Sequence, residues 1–410
     1  MKKECDNICI LSPFELPIPA VRGGAVEGLI ETIIKNYQDN SNIKLTIVSI
    51  FNKHAQKIAK EEYKNINFIF IKKPKIITVI DKIYELFYFL LKLGKKHEYQ
   101  KNYLWKFFTL YKCRKLLKKT KYDKIIIENS GYLLNVFRNK KIREEYKRKN
   151  FFHLHNIVSD KVYLNGLMNS KIIVISEYLK NDIIKRFPKI DTNKIILLKN
   201  GIKTDYNFNE FNKSNERKSL KIMDNEIVIL FVGRIVKEKG IEELINAINE
   251  LNNRRIKLLI VGSHNFGKNS KSDFSKKMDI KFREMGNQVI FTGFVSHQDV
   301  WKYYCVSDFA VLPSIWEEPA GLTMIEASAC GVPIITTNSG GILEYINSNY
   351  SIILKNDDKL IENLKDAIIE MTRNYDKYVQ LAQKQKENII RKFDENVYYN
   401  NFLKILKNKG

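Results

Sequence analysis

Short runs of consecutive apolar residues alternate with amphipathic helical patterns along this chain, and the alternation restarts near its middle. Apolar runs of about four to eight residues are typical of strands that are buried on both faces of a parallel sheet. Strands that alternate with helices favour a parallel sheet covered by helices on both sides. The sequence therefore predicts two successive α/β halves. The predicted strands are residues 7–11, 45–50, 68–71, 124–127, 151–154 and 171–176, then 227–232, 257–261, 289–292, 309–312 and 333–336.

A polar stretch separates the two halves. Residues 205–225 are rich in Asn, Lys and Glu and show no apolar period, which predicts a linker and loop. Residues 263–280 are similarly polar and predict a second loop. A chain of 410 residues is too long for one ordinary core, so two domains are expected. The predicted domains are residues 1–204 and 205–385, followed by a C-terminal helix at 386–410.

Ligands of such sheets bind beyond the carboxyl ends of the strands, so the segments that follow predicted strands are the candidate sites. In the first half, Gly23 and Gly24 follow the first strand, and glycines let the backbone approach a phosphate closely. His155 closes a later strand, and His153 shares its face because the two residues are two apart. The alternatives are a plain turn at the glycines and a structural, hydrogen-bonded histidine.

In the second half, Arg234 and Lys239 lie between a predicted strand and a predicted helix. Cations in such a loop can clamp a diphosphate, because their N–H groups bind phosphate oxygens strongly. The alternative is a pair of ordinary surface cations in a lysine-rich protein. A glycine pair, Gly340 and Gly341, follows the last predicted strand.

Two glutamates, Glu318 and Glu326, are separated by seven residues. The first lies before, and the second within, a predicted helix that ends at Gly331. Gly321 lies near the start of this helix, where free backbone N–H groups and the helix dipole favour an anion. Such a segment could hold a sugar hydroxyl at one end, a ribose at the other and a phosphate between them. The alternative is two glutamates on a solvated helix face.

Taken in order, these segments resemble the retaining glycosyltransferases of family 4, which share a Glu-x7-Glu motif and the GT-B fold. The resemblance rests on Glu318 and Glu326 with the Pro-Ala-Gly-Leu that lies between them, on the Gly-Arg and Lys-Gly pairs at 233–240, and on Gly23-Gly24 and His155. It implies two Rossmann-like domains that face each other across a cleft. It also implies that the C-terminal helix crosses back to the N-terminal, acceptor-binding domain.

The resemblance implies transfer of a sugar, with retention at the anomeric carbon, from a nucleotide diphosphate donor that is most often UDP-linked. The acceptor would be a glycan or a lipid-linked molecule of bacterial surface polysaccharide or glycolipid synthesis. The implied catalytic residues are Glu318 and His155. The implied donor contacts are Gly24 at the phosphate, Arg234 and Lys239 at the diphosphate, Glu318 and the backbone of Ala320, Gly321 and Leu322 at the sugar, and Glu326 at the ribose.

No Asp-x-Asp occurs in the sequence, so a metal-bridged diphosphate is not expected. We predict no metal and no cofactor besides the nucleotide-sugar co-substrate. The alternatives are a non-catalytic partner subunit with the same fold, and a nucleotide-sugar epimerase or hydrolase. A partner subunit would be expected to lose charged site residues, and all of them are present here.

The net charge of +24 predicts an anionic partner, or else a solvated, lysine-rich surface. No helix-turn-helix, zinc-finger or RNA-recognition signature supports nucleic acid. Residues 72–124 carry sixteen Lys or Arg and four Asp or Glu, with apolar residues at helical spacing. This pattern predicts basic amphipathic helices that dock on an anionic membrane through lysines such as Lys92, Lys95, Lys96, Lys112 and Lys115. The alternative is that the apolar stripe packs on the sheet.

Five cysteines without a Cys-x-x-Cys pair argue against a disulfide framework and favour a reducing compartment. The N-terminus lacks the long apolar run of a signal peptide. Uncharged apolar runs of the roughly 18 residues needed to cross a bilayer are also missing from the sequence. We therefore expect a cytoplasmic protein that associates peripherally with the inner face of the membrane.

Overall fold

The computed structural model describes residues 6–37, 43–90, 102–159, 162–206, 208–263 and 272–407. The chain divides into two compact units. Over the described residues, each unit contains one sheet whose strands are all parallel. The predicted organisation of two parallel-sheet α/β halves is confirmed, and the predicted domain bounds stay predictions. The first unit is Met1–Ile175, Leu179–Leu198 and Asn401–Gly410, and the second is Ser176–Tyr178 and Lys199–Asn400.

The elements of the first unit are β1 (Asp6–Leu11), α1 (Ala25–Tyr37), β2 (Ile43–Ile50), α2 (Lys53–Glu62), β3 (Asn67–Ile71), α3 (Lys75–Leu90), α4 (Tyr103–Lys119), β4 (Lys124–Glu128), α5 (Lys140–Glu145), β5 (Asn150–Leu154), α6 (Leu164–Met168), β6 (Lys171–Val174), α7 (Glu177–Arg186) and β7 (Ile195–Leu197). The strand order is β3-β2-β1-β4-β5-β6-β7. The order in the chain reverses between β1 and β4, and the loops that follow these two strands diverge to opposite sides of the sheet there. A ligand crevice is expected at this point.

The elements of the second unit are α8 (Lys213–Ser219), β8 (Ile227–Val232), α9 (Ile241–Leu251), β9 (Ile256–Val261), α10 (Asp273–Glu284), β10 (Val289–Gly293), α11 (Val300–Val306), β11 (Phe309–Leu312), α12 (Leu322–Ala329), β12 (Ile334–Thr337), β13 (Ile352–Leu354), α13 (Leu360–Arg373) and α14 (Tyr375–Phe393). The last helix, α15 (Glu395–Lys407), is divided between the units, because its residues from Asn401 onward belong to the first. The strand order is β10-β9-β8-β11-β12-β13. Here the chain order reverses between β8 and β11.

The core of the second unit lies between its sheet and the apolar faces of α9, α10 and α13. Side chains of α9 such as Leu244 and Ile248 are buried against strand residues such as Ile229 and Leu258. Because helices cover the sheet, its central strands are apolar on both faces, which explains the continuous apolar runs in the sequence. In the part of the chain that the structure describes, no helix combines the length and the apolar character needed to span a membrane.

Four sequence predictions about segments need correction. Residues 205–225 contain α8, which Asn212 caps through a hydrogen bond from the Asn215 amide. Residues 263–280 contain the start of α10, capped by Ser272. Helix α8 is too polar to show an apolar period, so its cap was the available signal. Helix α10 has apolar residues at helical spacing, Phe274, Met278 and Phe282, which sequence reasoning overlooked. The strands β7 and β13 have three residues each and were missed. The predicted C-terminal helix is divided at Asp394, whose backbone is extended between α14 and α15.

Candidate functional site

Two loops meet where the chain order of the second sheet reverses. The strands β8 and β11 are hydrogen-bonded neighbours, so the loops that follow them start side by side. The carbonyl oxygen of Glu238, in the loop after β8, accepts hydrogen bonds from the amides of Ile315 at 3.0 Å and Trp316 at 3.2 Å. Gly240 has a φ of +70°, and a Cβ there would lie 1.9 Å from the Pro313 carbonyl oxygen. The two loops are therefore in direct backbone contact.

This contact brings two of the predicted site residues together. The Lys239 ammonium and the Glu318 carboxylate form an ion pair in direct contact. Ser314 Oγ donates to the same Glu318 oxygen, Oε1, at 2.8 Å. Both charged side chains are largely shielded from solvent, being 24% and 12% exposed. Arg234 lies in the same loop as Lys239 but is exposed, and within the described ranges its side chain has no ion pair.

A third loop, after β12, fixes the backbone of Glu318. The Gly341 amide donates to the Glu318 carbonyl oxygen at 2.7 Å. Gly340 has a φ of +62°, and a Cβ there would lie 2.3 Å from the same oxygen and 2.7 Å from the Glu318 nitrogen. The predicted glycine pair therefore has a steric reason to be glycine. It lets the third loop pass directly against the residue that is expected to contact the donor sugar.

Helix α12 begins immediately after this junction. Gly321 is its N-cap, with a φ of +72°, and both Ala320 and Gly321 are buried. The first N–H groups of a helix lack intrahelical acceptors and point toward the N-terminus, where an anion or hydroxyl oxygen can bind. The predicted helix that ends near Gly331 is confirmed. The predicted contacts of Ala320, Gly321 and Leu322 with a sugar stay predictions.

Glu326 lies within α12 and is only 7% exposed. Its Oε1 accepts a hydrogen bond from His297 Nε2 at 2.8 Å. Its Oε2 lies 3.3 Å from the hydroxyl of Tyr304, which also donates to the Thr323 carbonyl oxygen at 3.0 Å. Sequence reasoning missed both partners. The one available signal for His297 was its position in the loop after β10, at the carboxyl edge of the sheet.

In the first unit, the predicted glycine loop contacts a buried acid. Gly24 has a φ of +108°, and a Cβ there would lie 2.2 Å from Oε2 of Glu27. Burial raises the pKa of Glu27 to about 7, and the nearby charges of Glu15 and Glu128 act in the same direction. The structure therefore explains Gly24 by the Glu27 side chain folded against it. Contact of Gly24 with a donor phosphate stays a prediction.

His155 belongs to a buried cluster with His153 and Glu128. The cluster forms because β4 and β5 pair with Glu128 opposite His153, and His155 follows two residues later on the same face. His155 Nε2 lies 3.0 Å, and His153 Nδ1 3.1 Å, from Oε2 of Glu128. Sequence reasoning missed Glu128, because it ends an apolar strand without any motif of its own.

The charges of this cluster are strongly coupled. Burial opposes ionisation of Glu128, but the charge of His153 and hydrogen bonds from both imidazoles outweigh it and lower the pKa of Glu128 to about 2. Burial, followed by the neighbouring His153, lowers the pKa of His155 to about 4. Glu128 is therefore a carboxylate near pH 7, and His155 is a neutral imidazole there.

The three side chains of this cluster could in principle hold a cation, because their ligand atoms lie within 4.8 Å of one another. A metal-bound imidazole usually donates its second N–H to a hydrogen-bond partner. Nε2 of His153, however, is buried without a hydrogen-bond partner among the described residues. The hydrogen-bonded arrangement around one carboxylate therefore fits the site better than a metal centre. The predicted lack of a metal site stays a prediction.

The raised pKa of Glu27 leads to a prediction about stability. A carboxyl with a raised folded-state pKa contributes stability that is fully present below its ordinary value near 4.5 and is lost as the pH rises through about 7. The free energy of unfolding of wild type, relative to Glu27→Gln, is therefore expected to be about 2–3 kcal/mol larger at pH 5 than at pH 8. Urea unfolding of both proteins at the two pH values measures this difference.

The opposite contribution of His155, which is lost as the pH falls toward 4, is present in both proteins and cancels in the comparison. Glu61→Gln, on the exposed surface of α2, provides the control for the loss of one carboxyl. A difference between wild type and Glu27→Gln that does not change with pH would mean that Glu27 is ionised in the folded protein.

The second unit is similar to a known enzyme family. Residues 212–388 match the family model described as Glycosyl transferases group 1. Over 282 residues, or 67% of the chain, the sequence is 29% identical to the lipopolysaccharide 1,2-N-acetylglucosaminetransferase of Salmonella typhimurium, of which it covers 70%. Over 188 residues, or 45% of the chain, it is 33% identical to an uncharacterized glycosyltransferase of Methanocaldococcus jannaschii and spans about half of that relative's length, 46%.

The fold is also similar to that of solved structures. Anabaena Alr3699/HepE, in complex with UDP and glucose, has a TM-score of 0.72 and 18% identity, with 98% of this chain and 99% of that chain covered. At this identity the likeness shows the fold alone, which is GT-B, so the predicted fold class is confirmed. Together, these findings show the GT-B fold and a similarity of residues 212–388 to Glycosyl transferases group 1.

Proposed function

We propose that this protein is a retaining glycosyltransferase of family 4 that transfers a sugar from a nucleotide diphosphate donor, a UDP-sugar, to a glycan or lipid-linked acceptor. The observation that carries the proposal is the junction of three loops that places Lys239, Glu318 and the start of α12 together in one unit. The crystallised relative that binds UDP and glucose supports the choice of donor. The relative that acts in lipopolysaccharide synthesis supports an acceptor of bacterial surface glycans.

In this proposal the second unit binds and activates the donor. Lys239 and Arg234 neutralise the diphosphate, and the N-terminus of α12 adds partial positive charge. Charge that develops on the leaving phosphate is therefore stabilised by groups that are already in place, which lowers the barrier. Glu318 accepts a hydrogen bond from a hydroxyl of the sugar, and Glu326 accepts hydrogen bonds from the ribose. In the first unit, His155 contacts the sugar through a neutral imidazole.

Retention of configuration requires that the acceptor attack from the face that the nucleotide leaves. The proposed route uses the departing phosphate to take the acceptor proton, because the residues assigned above include no protein nucleophile. Incubation of the protein with a panel of nucleotide sugars tests the proposal. The expected result is release of UDP from one UDP-sugar, with NMR showing an anomer of the same configuration as the donor. Release of an inverted product, or a change in the sugar without transfer or hydrolysis, would contradict it.

Transfer is expected to proceed without a divalent metal ion. The reason is that Lys239, Arg234 and the start of α12 provide the positive charge that a metal would otherwise supply to the diphosphate. UDP release should therefore be unchanged when EDTA is present. If EDTA abolished turnover and magnesium or manganese restored it, the diphosphate would require a metal and this part of the proposal would be wrong.

We further propose that α3 and α4 dock the protein on the anionic, cytoplasmic surface of a membrane, close to a lipid-linked acceptor. The apolar stripe of α3 does not pack on the sheet, because Ile76 is 66% exposed and Leu86 and Phe87 are each 58% exposed. On α4, Phe107 and Tyr111 are also exposed. An apolar face of this size on the surface is typical of an interaction site.

The position of this apolar face is fixed by a buried charge. Asp81 of α3 accepts a hydrogen bond from the Leu104 amide at 3.0 Å and pairs with Lys73 at 2.8 Å, which ties α3 to the start of α4. Exposed lysines, including Lys112 and Lys115, lie along α4 next to the aromatic residues. Lys92, Lys95 and Lys96, which the sequence analysis also assigned to this surface, lie outside the described residues. Apolar side chains flanked by lysines match the chemistry of an anionic lipid surface.

Replacing Lys112 and Lys115 with alanine is expected to weaken binding to anionic liposomes. Each lysine near such a surface contributes about 1 kcal/mol, so the double variant should bind about tenfold or more weakly at low salt. Co-sedimentation with vesicles of an anionic and a zwitterionic lipid measures this, and added salt should release the wild type. Lys57→Ala with Lys60→Ala, on exposed positions of α2, removes the same charge elsewhere in the unit. Equal loss in both double variants, or no binding by wild type, would overturn the docking surface.

A further inference from the structure

The two oxygens of the Glu326 carboxylate are held by donors of unequal strength. His297 Nε2 donates to Oε1 at 2.8 Å, which is a short hydrogen bond to a charged acceptor. The Tyr304 hydroxyl has one proton, and its shorter contact is with the Thr323 carbonyl oxygen at 3.0 Å rather than with Oε2 at 3.3 Å. His297 is therefore the stronger of the two contacts that orient this carboxylate.

We propose that His297 is a positioning residue for nucleotide binding, which holds the Glu326 carboxylate in the orientation that accepts the ribose hydroxyls. This inference rests on the proposed function. A glutamate side chain has several rotatable bonds, and fixing it before the ligand arrives reduces the entropy lost on binding. His297 can do this at any pH near neutrality, because Nε2–H can donate in the neutral and in the protonated imidazole.

The Glu326 carboxylate can still accept hydrogen bonds from a ligand. A carboxylate offers about four lone-pair sites. Among the described residues, His297 engages one site on Oε1, and the Tyr304 hydroxyl lies 3.3 Å from Oε2. At least one acceptor site therefore remains on each oxygen for the two neighbouring hydroxyls of a ribose. Glu326 is buried, whereas His297 is 66% exposed, so His297 lies on the solvent side of the carboxylate. The same arrangement explains why α11 and the loop before it belong to the site although they carry no motif.

Paired nucleotides test this inference directly. Isothermal titration gives dissociation constants for UDP and for 2′-deoxy-UDP, and their ratio reports the hydrogen bond to the 2′-hydroxyl. In wild type the deoxy nucleotide is expected to bind about tenfold or more weakly, because a hydrogen bond to a charged group is lost. In Glu326→Ala the ratio should fall to about one, because the acceptor of that hydrogen bond has been removed.

Two substitutions distinguish the effect of the His297 hydrogen-bond donor from the effect of its side-chain size. His297→Phe keeps a ring of similar size without the N–H, and it should bind UDP several-fold more weakly and lose most of the discrimination between the two nucleotides. His297→Gln provides an N–H donor and should restore most of the discrimination. Gln298→Ala changes the exposed neighbouring side chain and should behave as wild type. Because His297 is exposed, none of these variants is expected to affect folding.

The outcomes separate this inference from the proposed function. Discrimination that is lost in Glu326→Ala but unchanged in His297→Phe would overturn the role of His297 and leave the proposed function intact. Discrimination that is unchanged in Glu326→Ala would overturn the ribose contact, and with it the role of His297. Failure of the wild type to bind either nucleotide would overturn both proposals. Loss in His297→Phe together with recovery in His297→Gln supports the inference.

Discussion

Replacing either Lys239 or Glu326 with alanine is expected to lower kcat/KM by at least about a hundredfold. Removing one preorganised polar contact to a developing charge typically costs about 3 kcal/mol in the transition state. Lys239 supplies such a contact at the diphosphate, and its ion pair with Glu318 shows that its ammonium already lies at the junction of the three loops. Glu326 acts earlier, through the binding of the nucleotide.

The two substitutions are expected to change different kinetic parameters. Loss of Lys239 removes charge stabilisation that is strongest in the transition state, so kcat should fall with little change in KM. Loss of Glu326 removes ribose contacts that exist in both the ground state and the transition state, so a large part of its effect should be in KM. Steady-state kinetics with the best donor from the nucleotide-sugar panel, together with a melting curve for each variant, provides the measurement.

Lys237→Ala is the matched control, because Lys237 is an exposed lysine two residues away in the same loop. It removes the same charge from the loop without removing the contact with Glu318, and turnover should remain within a few-fold of wild type. A normal kcat/KM in Lys239→Ala or Glu326→Ala, with an unchanged melting curve, would show that the donor site lies elsewhere. An equal loss of activity in Lys237→Ala would indicate that the total positive charge of the loop matters, and not the specific position of Lys239.

The architecture was largely predictable from the sequence, because it depends on local periodicity. Strands buried on both faces are mostly apolar, so β1, β8 and β9 stand out through the apolar runs at residues 8–11, 227–232 and 258–261. The short strands β7 and β13 were not predictable, since three residues do not establish a pattern. Helix α8 was obscured for a different reason, because its residues are so polar that only its capping residue distinguishes it from a loop. Helix α10 was predictable from the spacing of Phe274, Met278 and Phe282, but it was overlooked beside the polar residues that precede it.

The site was predictable only where residue spacing encodes it. Glu318 and Glu326 share one strand-loop-helix segment, so their separation was visible in the sequence. The contacts of His297 with Glu326 and of Glu128 with two histidines join residues more than twenty positions apart. Such contacts depend on which strands are neighbours in the sheet, and a single sequence does not specify strand order. The exposure of the apolar stripe on α3 was also not predictable from the sequence, because amphipathic spacing does not specify what covers the apolar face.

Replacing Gly340 with alanine is expected to reduce turnover by about a hundredfold although the residue carries no functional group. Gly340 has a φ of +62°, and the new Cβ would lie 2.3 Å from the carbonyl oxygen of Glu318, a distance that forces one of the two loops to move. The Gly341 amide, which now donates to that oxygen at 2.7 Å, would move as well. Displacement of a substrate-positioning group by about 1 Å can cost about a hundredfold in rate.

Gly286→Ala separates this displacement from simple backbone strain. Gly286 has a similar φ of +56°, but a Cβ there would meet nothing within 4 Å, and the residue precedes β10 at the opposite edge of the same sheet. Gly286→Ala should therefore cost only the strain of a left-handed backbone, about 1 kcal/mol of stability. Gly340→Ala should cost more because of the contact with Glu318, and only this variant should lose turnover and donor affinity. Equal turnover in the two variants would mean that the Glu318 backbone tolerates the shift, and that its contact with the third loop is structural and has no part in donor binding.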